Sequence, residues 1–280
     1  MEKQILVLGG TGKTGSRVAR KLMDLGKQFR IGSRSASPPF DWEKQQTWNV
    51  VLQDIDTVYI TFQPDLAVPG ALDSIAAFTN EAINCGVKKL VLLSGKGEKE
   101  AEACEQVIIN SGLNWIIVRA SWFNQNFSES FFLGPILGGH VALPKAEVLV
   151  PYVDADDIAD VVVEALLNDK HNGQLYKLTG PRKLTFENVV NEIAKATALE
   201  INFQSITMDE YIQMLKEYQT PDDYIWLISY LFTEVLIEKN SAVTHDIEKI
   251  LGRKAKNFSE YAKETASTGV WNALTKHFTS

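Results

Sequence analysis

Cysteine is nearly missing from this chain: Cys85 and Cys104 are the only two in 280 residues, and they form no Cys-x-x-Cys pair. That argues against a disulfide framework and points to reduced thiols in a cytoplasmic protein. Histidine is as scarce. His140, His171, His245 and His277 are scattered without His-x-x-His or His-x-x-x-His spacing, so neither a zinc site nor a catalytic triad has support. Basic charge is in deficit, 28 Lys and Arg against 35 Asp and Glu for a net −7. A nucleic-acid surface needs the opposite balance. Long apolar runs are lacking too. The stretch from Tyr224 to Ile237 is interrupted by Ser229, Thr233 and Glu234 and is too short to cross a bilayer. It reads as a buried helix, with a lid or a homodimer face as the other uses. Met1-Glu2-Lys3 carries no charged-then-apolar leader before the first apolar run. Asp154, Asp156 and Asp157 read as the cap and acidic first turn of a helix rather than a metal site.

What is present is concentrated at the start. Ile5-Leu6-Val7-Leu8 stops at Gly9-Gly10-Thr11-Gly12-Lys13-Thr14-Gly15, and Val18, Leu22 and Leu25 then recur with helical spacing up to a Gly26 stop. Strand, glycine turn and helix form the context in which Gly10-x-Gly12-x-x-Gly15 binds a dinucleotide. Missing Cβ atoms allow the tight turn, the approach of a pyrophosphate and close packing of helix on strand. The helix start then faces the anion with its N–H groups and positive dipole end.

The following strand, Gln28 to Gly32, runs into Ser33-Arg34-Ser35. No acid stands there to hydrogen-bond a ribose 2′-OH, whereas a guanidinium suits a 2′-phosphate and two hydroxyls add donors. The expected cofactor is NADP(H).

Further apolar runs at Val58–Phe62, Leu90–Leu93 and Trp115–Val118 alternate with helical patterns at 43–53, 70–85 and 98–110. Runs without polar alternation are those of parallel strands covered on both faces. The predicted fold is α/β, a doubly wound Rossmann sheet over residues 1–180, with a smaller, mostly helical lobe over 181–280 to which 122–150 contributes. Phe40-Asp41-Trp42 is expected to form a brief strand, Leu175–Leu178 a further sheet strand, and Thr185 to cap a helix.

These residues resemble the NmrA-like, atypical short-chain dehydrogenase/reductase family. The likeness runs through Gly9-x-x-Gly12-x-x-Gly15, Ser33-Arg34-Ser35, Ser111-Gly112-Leu113-Asn114-Trp115-x-x-x-Arg119, Trp122-Phe123-x-x-Asn126-Phe127, Val153-Asp154-x-x-Asp157-Ile158 and Tyr176-x-Leu178-Thr179-Gly180, over about residues 3–200. Gly10-Thr11-Gly12-Lys13-Thr14 and Phe40-Asp41-Trp42 look closest to the fungal festuclavine and agroclavine dehydrogenases. The resemblance implies cofactor contacts from the glycine loop, Arg34, Phe62-Gln63-Pro64 and Ser94-Gly95. It also implies an apolar substrate pocket around Trp122, Phe123, Asn126 and Phe127.

The family holds both reductases and silent redox sensors, so activity must be argued from the site. Ordinary members carry a serine with Tyr-x-x-x-Lys, whose phenol protonates the product. Ser94 stands at the expected strand end, but no tyrosine follows between Gly95 and Val118. Where relatives place a lysine, this chain has Glu102. Lys96 and Lys99 are near but out of register, leaving Ser94 and Lys96 as candidate catalytic residues. Glu98, Glu100, Glu102 and Glu105 read first as a solvated helix face near its N-terminus. The expected function is NADPH-dependent reduction of an apolar imine, quinone or activated C=C; the alternative is an NADP(H)-sensing regulator that binds a protein partner.

Overall fold

Every residue of Ile5–Leu8 is buried, as a parallel strand covered on both faces requires. In the computed structural model, which describes residues 4–272, this run is β1. Met1-Glu2-Lys3 and His277 therefore lie outside the described residues. The chain continues through α1 (Lys13–Asp24), β2 (Phe29–Gly32), α2 (Trp48–Leu52), β3 (Thr57–Ile60), α3 (Ala71–Asn84), β4 (Lys89–Gly95), α4 (Lys99–Ile109) and β5 (Asn114–Ala120). After α5 (Leu133–Leu137) and β6 (His140–Leu143) come α6 (Ala155–Leu167) and β7 (Gln174–Leu178). Six strands pair in parallel in the order β2-β1-β3-β4-β5-β7. The chain leaves β1 to one side for β2 and returns to its other side for β3. That reversal is the topological switch point, and the crevice beyond the carboxyl ends of β1 and β3 is where such sheets take ligands.

Contacts divide the chain into two units. The first holds residues up to 121, 155–179 and 244–254; the second holds 122–154, 180–243 and 255 onward. In the first, α1 packs on α6 and an ion network ties them. Arg17 Nε lies 3.3 Å and Arg20 Nη2 3.2 Å from Asp156, and Lys21 Nζ lies 2.6 Å from Asp160. Arg253, which follows α10 (Asp246–Leu251), pairs with Asp157 at 2.6 Å and Asp160 at 2.5 Å. Asp156 and Asp157 thus serve as ion-pair partners. Among the described residues no group of His, Cys, Asp and Glu is arranged to hold a metal.

The second unit is built on α7 (Phe186–Thr197), β8 (Asn202–Ser205), α8 (Met208–Glu217), α9 (Asp222–Tyr230) and α11 (Phe258–Ser267), with β8 pairing in parallel to β6. Its core is aromatic. Phe127 lies 5.0 Å from Phe132, 5.5 Å from Tyr152 and 5.8 Å from Phe258, ring centre to ring centre. Thr185 caps α7 in a reciprocal box with Asn188, its hydroxyl accepting from the Asn188 N–H at 3.1 Å. The apolar stretch from Tyr224 is the end of α9 and a π-helical turn over Leu231–Val235. Ile225, Ile228 and Phe232 are buried, while Tyr224 and Trp226 are exposed. No helix of the described residues is long and apolar enough to cross a membrane.

Phe40-Asp41-Trp42 is not the short strand the sequence suggested. Its aromatic rings are drawn into the first unit's core. Trp42 lies 5.0 Å from Phe40 and 4.8 Å from Phe62, and the Trp42 indole N–H donates to the Thr61 carbonyl at 3.1 Å. Trp48 Nε1 donates to the Asp41 carbonyl at 2.8 Å, and the Asp41 carboxylate accepts from the Glu43 N–H at 3.1 Å. The Asp41 N–H and carbonyl and the Glu43 N–H, which would pair in a sheet, are bound to side chains instead, and the helix expected from residue 43 starts regularly only at Trp48. Trp42 thereby holds the exit of β3. Trp42→Ala should lower unfolding stability by about 3–5 kcal/mol, the usual cost of deleting a packed indole, as measured by urea denaturation.

Candidate functional site

The glycine turn is dictated by close backbone packing. Gly9 has φ +63°, the left-handed region, and a Cβ on it would meet Thr61 Oγ1 at 2.2 Å. A Cβ on Gly15 would sit 2.1 Å from the Gly9 carbonyl oxygen, so only glycine lets α1 start this close to β1. The Gly12 N–H donates to that same carbonyl at 2.8 Å. A Cβ on Gly12 would crowd the Gly9 carbonyl at 3.2 Å and touch the Gln63 amide nitrogen at 3.6 Å, so the turn is close-packed here as well. Gly10 packs on Ile31 of β2, and buried Thr14 accepts a 3.0 Å hydrogen bond from the Tyr59 hydroxyl. Thr11 and Lys13 lie on the outer side of the turn. At its start α1 has no side-chain cap and no acid in its first turn. Its initial N–H groups and dipole are therefore directed at whatever anion occupies the cradle.

Beside the turn a cleft of about 690 Å³ runs along the outer edge of β2, lined by Thr11, Ile31, Ser33, Ser35, Ala36 and Ser37 among others. Ser33 Oγ and Ser35 Oγ lie 3.3 Å apart. Arg34 is exposed between them and has no ion pair among the described residues. Arg30, one turn earlier in the strand, is committed elsewhere, donating to the carbonyls of Val51 at 2.7 Å and Gln53 at 2.9 Å. Arg34 is thus the exposed cation at the β2 exit.

The exits of β3 and β4 complete the first unit's crevice. Phe62 is half-buried against Trp42, while Gln63 and Pro64 are exposed. Ser94 is buried at the end of β4, and Lys96 is half-buried just beyond it. The Ser94 hydroxyl donates to Glu105 Oε1 at 2.5 Å. Glu105 is fully buried and is also held by Arg119, whose Nε donates to Oε1 at 2.9 Å and whose Nη2 pairs with Oε2. Arg119 Nη1 reaches the exposed Glu102 at 3.1 Å. A buried carboxylate needs such partners. The serine that ordinary members use on substrate here donates to the ion pair.

The acids of α4 are not a uniform solvated face. Glu100 and Glu102 are exposed, but Glu105 is fully buried and Glu98 is only 7% exposed. Glu98 stands at the cap position of α4 without capping it; its carboxyl is hydrogen-bonded to Asp65, in the loop after β3. Asp65 also accepts from the Ala67 N–H at 2.8 Å. Burial first, then the neighbouring Asp65, raises the Glu98 carboxyl well above its ordinary range. Asp65 is raised as well, chiefly by burial. The sequence reading missed this pair. The available signal was an acid directly after Pro64 together with a helical position, Glu98, that falls on the buried side with Ala101 and Glu105.

In the second unit Phe127 is enclosed on all sides by rings, while Trp122, Phe123 and Asn126 are half-buried. Trp122 packs edge-on against Phe232 at 5.5 Å and Phe186 at 6.0 Å. Asp154 is buried and accepts from Gln125 Nε2 at 3.2 Å and Asn124 Nδ2 at 3.4 Å, with Lys256 Nζ 3.9 Å away.

No family model matches the chain. At 28% identity over 94% of this chain and 92% of the other, it is similar to prestalk A differentiation protein A of Dictyostelium discoideum. It is 27% identical to an NAD(P)H azoreductase of Xenophilus azovorans over 94% and 98% of the two chains, and 27% identical to an agroclavine dehydrogenase of Claviceps fusiformis over 95% and 98%. The resemblance to the ergot-alkaloid dehydrogenases spans 92–96% of the chain. Its fold matches an NADPH-dependent quinone oxidoreductase of Escherichia coli, with TM-score 0.78, 17% identity and 93% and 99% coverage. It also matches NmrA, a negative transcriptional regulator, with TM-score 0.72, 14% identity and 95% and 96% coverage.

The buried pair has a consequence for stability against pH. A carboxyl whose folded pKa is raised contributes stability that is complete below its unfolded value and is lost as pH rises through the folded one. Glu98→Gln has no proton to lose. Its Tm should gain on that of the wild type as pH is raised from roughly 5 to roughly 9, as measured by calorimetric melts at matched ionic strength.

Proposed function

We propose that the chain is an NADP(H)-dependent reductase of a small apolar acceptor: an imine, a quinone or an activated C=C. The observation that carries this is the glycine cradle at the sheet's switch point, followed at the β2 exit by Ser33-Arg34-Ser35 and no acid. The cradle suits a pyrophosphate because Gly9, Gly12 and Gly15 carry no side chain between the turn's backbone and the crevice, and the start of α1 has no side-chain cap and no acid in its first turn. Relatives that are an NAD(P)H azoreductase and an agroclavine dehydrogenase support the same reading.

The residues divide the work. The N–H groups at the start of α1 receive the pyrophosphate, and Arg34 with the Ser33 and Ser35 hydroxyls receives the 2′-phosphate. Gln63 and Pro64, exposed beside the turn, bound the crevice on the β3 side, and Gly95 bounds it at β4. When bound, the dihydronicotinamide supplies hydride. The second unit is read as the substrate lobe, with Trp122, Phe123 and Asn126 offering apolar and amide surface. One observation favours the regulator reading: the Ser94 hydroxyl donates to Glu105. NADPH oxidation across a panel of quinones, imines and ketones separates the two. Turnover with at least one acceptor is expected, and tight NADP(H) binding without turnover of any class would shift the balance to the sensor.

NADPH should bind more tightly than NADH, and Arg34→Ala should remove most of that preference. A charged hydrogen bond to phosphate is worth roughly 1.5–3 kcal/mol, about ten- to a hundredfold in Kd. Calorimetry showing equal affinities for the two cofactors in the wild type would contradict the assignment. Gly12→Val should keep the fold, with the Gly9 carbonyl yielding a few tenths of an ångström to a Cβ 3.2 Å away, and should bind no NADPH. A melting curve paired with the same titration checks both halves.

A further inference from the structure

Asp65 and Glu98 are joined carboxyl to carboxyl, and two such groups hydrogen-bond only by sharing a proton. The pair sits on the carboxyl ends of β3 and β4. A Cβ on Gly95 would lie 1.9 Å from Glu98 Oε1, so the glycine after Ser94 is what lets this carboxyl rest on the strand exit. The loop that carries Asp65 also carries Gln63, whose amide nitrogen is 3.6 Å from a Cβ built on Gly12. The loop carrying Asp65 therefore borders the glycine turn, and Glu98 rests on the neighbouring strand exit at Gly95. The hydroxyl at Ser94 is bound to Glu105, and no tyrosine follows it before Val118.

We propose that the Asp65–Glu98 pair is the proton donor that accompanies hydride transfer, in place of the tyrosine and lysine this chain lacks. This rests on the reductase reading above. Hydride, a proton with two electrons, bonds to the acceptor atom, and the acceptor's π pair moves to its heteroatom. The heteroatom–H bond forms as the carboxyl O–H bond breaks, with that bond's electron pair staying on the carboxylate. The nicotinamide loses two electrons, the acceptor gains two, and solvent returns the proton through half-buried Asp65. The charged groups facing the pair are Asp65 and Glu98 themselves, with Glu100 and Glu105, all acids. Arg119 is taken by Glu105 and Glu102. With these acids around it, the pair keeps its proton until negative charge develops on the acceptor.

The test combines infrared spectroscopy of the unliganded protein, calorimetry with NADPH, and turnover of a quinone and of an N-alkylated iminium ion. The quinone requires a proton and the iminium does not. Wild type should show a protonated-carboxyl C=O band at neutral pH that is lost in Glu98→Gln and Asp65→Asn. Both variants should bind NADPH like the wild type. Their kcat with the quinone should fall about a hundredfold, the scale of general acid catalysis, with iminium turnover unchanged. The wild-type quinone rate should fall as pH rises through the pair's pKa, and the Glu98→Gln rate should lose that dependence. A missing band, or wild-type quinone rates in both variants, would overturn the proton donor alone. A wild type that binds no NADPH would overturn the cofactor reading and the donor with it.

Discussion

One contact sets the geometry of the first unit: the Gly9 carbonyl against the bare Cα of Gly15. With a side chain's Cβ falling 2.1 Å from that oxygen, any residue but glycine would push α1 away from β1. The displacement would open the turn whose N–H groups face the crevice and shift α1 on α6, which its arginines and Lys21 tie to Asp156 and Asp160. Placement of the helix start, and of the positive charge it presents, follows from an absent methyl group.

A second constraint radiates from Glu105. A carboxylate fully removed from water must have its acceptor sites filled, and Ser94 and Arg119 fill them. Replacing one partner would leave a buried charge uncompensated, a cost on the order of 3–5 kcal/mol. Strands β4 and β5 are thereby pinned at their exits, and the serine hydroxyl is aimed at the ion pair. Glu98, on the same buried side of the helix, is satisfied by Asp65 instead. Two glutamates of the α4 segment thus meet different partners, Glu105 the Arg119 guanidinium and Glu98 the Asp65 carboxyl.

Much of the fold was legible because its signals are local. The four apolar runs became β1, β3, β4 and β5, and the glycine spacing marked the turn and the start of α1. Thr185 announced a helix start that the structure shows as a reciprocal cap with Asn188. What escaped depends on partners distant in sequence. Phe40-Asp41-Trp42 looks like strand residues by type, yet Trp42 answers to Thr61 and Phe62. The α4 glutamates look like a solvated face until Arg119 and Asp65 are brought beside them by β5 and the β3 loop. Phe127 reads as pocket lining, yet it is buried against Tyr152 and Phe258, 25 and 131 residues further along the chain, as well as nearby Phe132.

The central claim, that the glycine cradle and the β2 exit together seat NADP(H), is tested most directly by a crystal structure grown with NADPH. The account predicts the pyrophosphate against the backbone of residues 10–14 and the 2′-phosphate against Arg34 and the Ser33 and Ser35 hydroxyls. A nucleotide bound anywhere else, or a 2′-phosphate directed away from Arg34, would contradict it.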